Sequence, residues 1–207
     1  MIQHISTGLG VIILIVSAIT GGILLLSPGS IRLQRPDCGW AGWLFNILNL
    51  LFFLIMIPIC GIIMIKQVQM PYFICLPALE YGGYLWVELL GISIFLIGSI
   101  LLFWSRISLR RSFRLAGVKP SQSDYLTLHG PYKLIRHPMY LAALVVLFGL
   151  TLILASALLA TMFIIMLFLI IKLIPQEEIQ LDQAYPIAYM EYCRRVPHAL
   201  FPFRHGK

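Results

Sequence analysis

A run of 31 residues without a charged side chain, from Leu141 to Ile171, constrains the fold of this chain more than any other feature. As a single helix it would extend roughly 46 Å, about half again the thickness of the hydrocarbon core of a bilayer. Strong tilt or a fold-back must absorb the excess. Basic residues flank both ends of the run, and such residues accumulate on the cytoplasmic side of membrane proteins. We therefore expect two short helices that turn near Ala155 and Ser156.

Three further apolar runs, 8–26, 43–65 and 84–104, are each long enough to cross a membrane. Of the 207 residues, 60% are hydrophobic and only 11% are charged, whereas charged residues make up about 25% of a soluble domain. The four cysteines lack the spacing of a metal site or a disulfide framework, so no metal is expected. The sequence predicts an all-α fold, a polytopic helical bundle in a membrane.

The distribution of the 15 basic residues predicts the topology. With about five transmembrane helices, of which the last two form the short hairpin, all basic residues except Lys66 lie on the cytoplasmic side. The C-terminal helices are then cytoplasmic as well. We divide the chain into three N-terminal transmembrane helices, 1–104, and a core with the hairpin, 105–207. Because the net charge of +7 follows the membrane boundary, we expect membrane lipids and no nucleic acid as partners.

Polar motifs stand at both ends of the charge-free run. Before it come Gly130-Pro131-Tyr132 and Arg136-His137-Pro138-Met139-Tyr140, and after it come Glu177-Glu178, Tyr189, Tyr192 and Arg195-Val196-Pro197. Pro138 lacks a backbone N–H and disfavours helical geometry in the preceding residue, so a helix is predicted to begin near Met139. Pro175 is expected to close or kink the last transmembrane helix just before Gln176. Both clusters then meet at one membrane edge, where ionisable side chains indicate a functional site.

This combination of motifs resembles the isoprenylcysteine carboxyl methyltransferase family of integral membrane enzymes, and phospholipid N-methyltransferases share much of the pattern. The resemblance covers roughly residues 105–203. It implies S-adenosyl-L-methionine as the cofactor, held at the cytoplasmic side by the loop before the hairpin and by the end of the last transmembrane helix. Carried over by position, the cofactor-binding residues are Asp124, Tyr125, Leu126, Thr127, Tyr132, His137, Pro138, Met139, Tyr140, Glu177 and Glu178.

The resemblance also implies a basic residue near the end of the last transmembrane helix that orients the acceptor carboxylate. The family typically has Arg four residues before the glutamate, whereas the basic residue here, Lys172, stands five before Glu177. We predict Lys172 and Arg136 as the catalytic residues. Methyl transfer from a sulfonium is an in-line displacement, so the protein mainly supplies proximity and alignment. Charge-assisted hydrogen bonds can hold the cofactor's ammonium on a glutamate and its carboxylate on Arg or His.

The predicted function is methylation of a lipophilic small molecule or a lipidated substrate, most like carboxyl O-methylation of an isoprenylated cysteine. A carboxylate is already nucleophilic at neutral pH, whereas an ethanolamine head group must first lose a proton. Methylation of ethanolamine phospholipids or of a small thiol stays open. NADPH-dependent sterol reductases share a related Arg-His-Pro-x-Tyr segment without the later Glu-Glu. A non-catalytic transporter would usually show repeats or broken helices at mid-membrane.

Overall fold

The computed structural model describes residues 2–26, 39–66, 84–109 and 125–200, and in these segments the chain forms six helices. They are α1 (Ile2–Leu26), α2 (Gly39–Lys66), α3 (Tyr84–Leu109), α4 (Pro138–Leu154), α5 (Ala157–Ala184) and α6 (Pro186–Arg195). A short 3₁₀ turn, Gly130–Lys133, lies between α3 and α4. The prediction of an all-α fold is confirmed.

Three of the helices are long and apolar enough to cross a membrane: Gly39–Lys66, Trp86–Leu109 and Ala157–Ala184. Two shorter apolar helical stretches accompany them. They are Thr7–Ile19, which lies within α1, and Pro138–Leu154, which is α4. The chain is thus an integral membrane protein. The number of five spans and their orientation stay predictions.

The hairpin turns at the two residues that the sequence indicates. Helix α4 ends at Leu154, and Ala155 takes a left-handed backbone conformation with φ of 44°. Ser156 caps the start of α5, since its hydroxyl accepts a hydrogen bond from the backbone N–H of Leu159 at 3.5 Å. Such a cap satisfies one of the N–H groups that a helix leaves unpaired at its start. The predicted fold-back of the 31-residue run is confirmed.

Helices α3 and α4 run antiparallel in close contact because glycines face each other along their interface. A Cβ placed on Gly149 would lie 2.6 Å from the backbone nitrogen of Phe95, and one on Gly91 would lie 3.0 Å from the Gly149 oxygen. A third close contact joins Gly98 to Val146. Helices in membranes pack through small residues because lipid supplies little hydrophobic force between them. This interface fixes the register of α3 against α4.

Helix α2 joins the N-terminal part of the bundle to the hairpin. Its second half packs against α1, and its first half packs against α5. A π-helical turn, Phe52–Met56, separates the halves, and the N–H of Ile57 bonds the oxygen of Phe52 there. Pro58 follows at once and cannot donate the next helical hydrogen bond, a known cause of such turns. The first half of α2 is thereby set beside the end of α5 that carries the two glutamates.

Helix α5 does not end at Pro175 but continues to Ala184, so of the two predicted effects of this proline, an end or a kink of the helix, the end is wrong. The buried face of the helix explains the continuation. It consists of Leu159, Met166, Leu169, Ile170, Leu173 and Ile174. Glu177 and Glu178 stand four residues after Leu173 and Ile174, and side chains four apart share a helix face. The two carboxylates therefore continue the inward face of α5 where the apolar core ends.

Candidate functional site

An ion pair between Arg136 and Glu178 joins the segment before α4 to the end of α5. The Nε and Nη2 atoms of Arg136 both lie 2.8 Å from Glu178 Oε1, and Nη1 donates to the backbone oxygen of Val196 at 2.8 Å. Burial alone would lower the pKa of Arg136, but its hydrogen bond to Glu178 and the charge of that carboxylate outweigh burial and raise it. The guanidinium is thus a permanently charged link between three parts of the chain.

His137 and Tyr140 contact both carboxylates from the first turn of α4. The Tyr140 hydroxyl donates to Glu177 Oε1 at 2.5 Å. His137 Nδ1 lies 3.6 Å from Glu177 Oε2, and its Nε2 lies 3.4 Å from Glu178 Oε1 without the alignment of a hydrogen bond. The two rings stack at 5.8 Å with 14° between their planes. We call Arg136, His137, Tyr140, Glu177 and Glu178 the charge cluster.

Pro138 is the local reason why these side chains converge. It occupies the first position of α4, where a missing N–H costs nothing, and His137 is the residue before the helix. Residues three apart in a helix lie on the same face, so Tyr140 lies beside His137. The prediction of a helix that begins at the Arg-His-Pro motif is confirmed.

The segment after α6 covers the charge cluster through backbone hydrogen bonds. The N–H of Arg136 donates to the oxygen of His198, and the N–H of His137 donates to the oxygen of Ala199, each at 2.9 Å. Together with the bond from Arg136 to Val196, these contacts attach residues 196–199 to the start of α4. Val196 of the terminal Arg-Val-Pro motif therefore belongs to the site through its backbone oxygen.

Helix α6 contacts the loop before α4 through a hydrogen bond and apolar packing. The hydroxyl of Tyr192 donates to the backbone oxygen of Tyr132 at 2.7 Å, and Leu126 packs against the buried Tyr189, Tyr192 and Val196. Burial, and after it the nearby Tyr192 and Glu177, raise the pKa of Tyr132 far above its ordinary value. The Tyr132 phenol is therefore neutral and remains a hydrogen-bond donor.

The buried polar atoms in this region that have no hydrogen-bond partner among the described residues include the Thr127 hydroxyl oxygen and His137 Nε2. Buried polar groups in proteins are nearly always hydrogen-bonded, so each exception requires an explanation. A ligand that hydrogen-bonds both atoms would satisfy them.

The structure brings most of the predicted site residues together. Arg136, His137, Tyr140, Glu177 and Glu178 form the charge cluster, and Leu126, Thr127 and Tyr132 lie in the loop that α6 covers. Tyr125 is exposed, and Asp124 lies outside the described residues. Pro138 is buried and Met139 packs against the apolar core at the start of α4. The roles of these residues stay predictions.

Lys172, the predicted acceptor-orienting residue, is not brought to the charge cluster. It is exposed, and its Nζ lies 5.2 Å from the centroid of the Phe168 ring on the outward face of α5. Leu173, four residues before Glu177, faces inward instead and is completely buried. The part of α5 just before the glutamates therefore presents an apolar side chain to the interior.

Two side chains beside the site are not among the predicted site residues. Phe45 of α2 makes an edge contact with the Tyr140 ring at 5.2 Å. Arg106, near the end of α3, is only 5% exposed and lies close enough to Tyr132 to affect its pKa. A signal for Arg106 was present, since it stands four residues after Leu102 on the buried face of α3.

Comparisons with known proteins agree with the motifs. The family model described as phospholipid methyltransferase matches residues 86–187, from α3 to the start of α6. Protein-S-isoprenylcysteine O-methyltransferases B and A of Arabidopsis thaliana are 30% identical over 120 and 113 residues. These alignments cover 57% and 54% of this chain and 60% and 57% of the two relatives.

A probable protein-S-isoprenylcysteine O-methyltransferase of Oryza sativa subsp. indica is also 30% identical, over 126 residues or 60% of this chain. The chain spans 65% of the length of that relative. No solved structure matches the chain significantly. The resemblance to isoprenylcysteine methyltransferases is confirmed, and residues 86–187 of this chain match the phospholipid methyltransferase family model.

Proposed function

We propose that this protein is an integral membrane methyltransferase that uses S-adenosyl-L-methionine to methylate a lipophilic acceptor. One observation carries the proposal: the charge cluster joins the Arg-His-Pro-Met-Tyr motif and the Glu-Glu motif in one place at the end of the apolar bundle. The match to the phospholipid methyltransferase family model and the similarity to the plant methyltransferases independently favour methyl transfer.

The residues of the site fit the proposed cofactor. Glu177 and Glu178 offer carboxylates for an ammonium group, and charge-assisted hydrogen bonds of this kind are short and strong. The Thr127 hydroxyl and His137 Nε2 offer buried polar atoms that the described residues leave without a hydrogen-bond partner. We propose that these groups hold the cofactor together with the other predicted binding residues, which are Asp124, Tyr125, Leu126, Tyr132, Pro138, Met139 and Tyr140.

When bound, S-adenosyl-L-methionine supplies an electrophilic methyl group on a sulfonium. The protein then has to hold and align two reactants, and it need not itself become covalently modified. Tyr140 fixes Glu177 through its hydroxyl, and Arg136 fixes Glu178 and residues 196–199. These contacts hold the two carboxylates and residues 196–199 in place beside the start of α4.

We propose a carboxylate of the isoprenylcysteine type as the acceptor. The names of the plant relatives support this class. Its chemistry supports it too, because a carboxylate attacks without prior loss of a proton. An acceptor with a prenyl chain would reach the end of the bundle from the surrounding bilayer. The catalytic roles of Lys172 and Arg136 stay predictions from the sequence, because Lys172 lies over Phe168 and the contacts of Arg136 are those of a positioning residue.

The description of the matched family favours methylation of an ethanolamine phospholipid as a second candidate. An amine acceptor must lose a proton before it attacks, so a group in the site must take that proton. The carboxylates of the charge cluster are then the proposed proton acceptors. In either case we place the site on the cytoplasmic side, which the distribution of basic residues supports.

Transfer of a labelled methyl group tests the proposal and separates the acceptor classes. The purified chain in detergent is incubated with methyl-labelled cofactor and, in turn, with an isoprenylated cysteine, an ethanolamine phospholipid, a small thiol and a fatty acid. We expect label on the isoprenylated cysteine that alkali releases as methanol, since only an ester is cleaved in this way. Alkali-stable label on the phospholipid would establish the second candidate. Absence of label from every acceptor would contradict the proposal.

A further inference from the structure

Arg106 is a buried cation that the site described above does not use. It is 5% exposed and continues the inward face of α3, one helical turn after the buried Leu102 and directly after the buried Ser105. Burying a guanidinium costs several kcal/mol unless the protein or a ligand compensates its charge. In membrane proteins such a side chain indicates a functional site by default.

The register of α3 against α4 places Arg106 beside the charge cluster. Gly98 of α3 packs against Val146 of α4, and the two helices are antiparallel. Eight residues onward from Gly98 is Arg106, and eight residues back from Val146 is Pro138. Equal numbers of residues span equal lengths of helix. Arg106 therefore lies at the level of Pro138, next to the Arg-His-Pro motif.

Tyr132 lies within the electrostatic range of both Arg106 and Glu177. Burial, Tyr192 and Glu177 raise the pKa of Tyr132, and Arg106 acts on it in the opposite direction. The packing agrees, since the 3₁₀ turn that carries Tyr132 contacts α3 and Gly130 lies against Trp104 and Ser108. A guanidinium and a carboxylate thus stand near the same buried phenol.

We propose that Arg106 binds the α-carboxylate of the methionine part of the cofactor, while Glu177 binds its α-ammonium. This inference rests on the proposed use of S-adenosyl-L-methionine. The end of that cofactor is a zwitterion, and a buried guanidinium and a carboxylate around one phenol match both of its charges. The planar guanidinium also suits a carboxylate, because it can donate two parallel hydrogen bonds to it.

The other cations near the site are less suited to this role. Lys172 is exposed over Phe168, and Arg136 is bonded to Glu178 and to the Val196 oxygen. A ligand carboxylate on Arg136 would have to displace Glu178. Among the arginines and lysines of the described segments, Arg106 is the most deeply buried, at 5% exposed.

Two ligands that differ by one carboxylate test the role of Arg106. The probes are S-adenosylhomocysteine and its decarboxylated analogue, which keeps the amine, and binding to the full chain in detergent is measured by calorimetry. We expect Arg106→Gln to weaken S-adenosylhomocysteine about 10-fold to 100-fold, the usual loss of a charge-assisted bond. The decarboxylated analogue should bind this variant as it binds the unaltered chain. Glu177→Gln should instead weaken both ligands, since both keep the amine.

Further variants separate a binding role from a structural one. Arg106→Lys keeps the charge but loses the paired geometry, so it should weaken S-adenosylhomocysteine less than Arg106→Gln does. Arg195→Gln removes an exposed arginine of α6 and should change neither affinity. If Arg106→Gln weakens both ligands equally, or neither, Arg106 does not bind the carboxylate. If the unaltered chain binds neither ligand, the proposed cofactor itself is wrong. This result can be told apart from the two that concern only Arg106, because in those the unaltered chain still binds.

Discussion

At the scale of single residues, Arg136 connects the three parts of the candidate site. Its guanidinium bonds Glu178 of α5 and the Val196 oxygen, and its backbone N–H bonds His198. The Arg136 side chain is 12% exposed and that of Glu178 is 26% exposed. Removal of one partner would leave the other charge partly buried without compensation, which costs more than the pair gains. The motif residues thus build the site before any ligand binds.

The substitution Lys172→Met tests whether this side chain reaches the acceptor. Because Lys172 is exposed over Phe168, and exposed ion contacts contribute about 0–1 kcal/mol, we expect kcat/KM for an isoprenylcysteine acid to fall by less than about fivefold. Cofactor affinity should not change. A loss of about 100-fold or more in Lys172→Met, largely restored in Lys172→Arg, would contradict this expectation and establish the acceptor role that the sequence predicted.

The residues of the charge cluster could be predicted from the sequence because their motifs flank the charge-free run and resemble those of a known enzyme family. Pro138 determines where α4 begins. Glu177 stands four residues after the buried Leu173 and therefore shares the inward face of α5. The contacts of Phe45 and Arg106 could not be predicted in this way. They depend on how α2 and α3 pack against the hairpin, which a one-dimensional pattern does not specify.

At the scale of elements, tertiary contacts outweigh the tendency of Pro175 to end helix α5. A proline inside a helix removes a hydrogen bond and costs about 3 kcal/mol. Yet α5 continues for nine residues beyond it, to Ala184. Leu173 and Ile174 before the proline and Glu178 after it are held by the core and by Arg136. The predicted end of the helix at Pro175 is wrong because a sequence pattern contains the proline but not these contacts.

The α3–α4 interface makes a prediction for stability. Gly149→Ala would place a Cβ 2.6 Å from the Phe95 nitrogen, so backbone must shift, and we expect a loss of about 1–3 kcal/mol in the free energy of unfolding. Gly8→Ala in α1 is the matched control, because no atom lies within 4 Å of its added Cβ. That variant should be neutral or gain up to about 1 kcal/mol from helix propensity. Equal unfolding temperatures of the two variants in detergent would show that α3 and α4 pack differently.

At the scale of the whole molecule, the structure confirms the helical bundle and the hairpin but leaves the orientation as a prediction. Length and composition identify helices that cross a membrane, because hydrocarbon thickness determines how many apolar residues a span needs. The side on which each loop lies depends on charge and on insertion, which the packing of helices alone does not record.

Labelling of single cysteines from either side of the membrane tests the five-helix topology. The background replaces the four native cysteines, and Leu158→Cys introduces an exposed site near the hairpin turn, since Ser156 itself is buried. Arg195→Cys introduces an exposed site on α6. A maleimide that cannot cross the membrane should label position 158 in intact cells and position 195 only after permeabilisation. Labelling of both positions from one side would exclude a transmembrane hairpin.

Calorimetric titration of the purified chain with S-adenosylhomocysteine tests whether the charge cluster binds a methyl-transfer cofactor. We expect one binding site per chain. Glu177→Gln keeps the shape of the side chain and removes its charge, so it should weaken binding by roughly 1.5–3 kcal/mol, about one to two decades in affinity. Glu191→Gln, at an exposed glutamate of α6, should bind like the unaltered chain. No binding to the unaltered chain, or equal affinities in the two variants, would contradict the account.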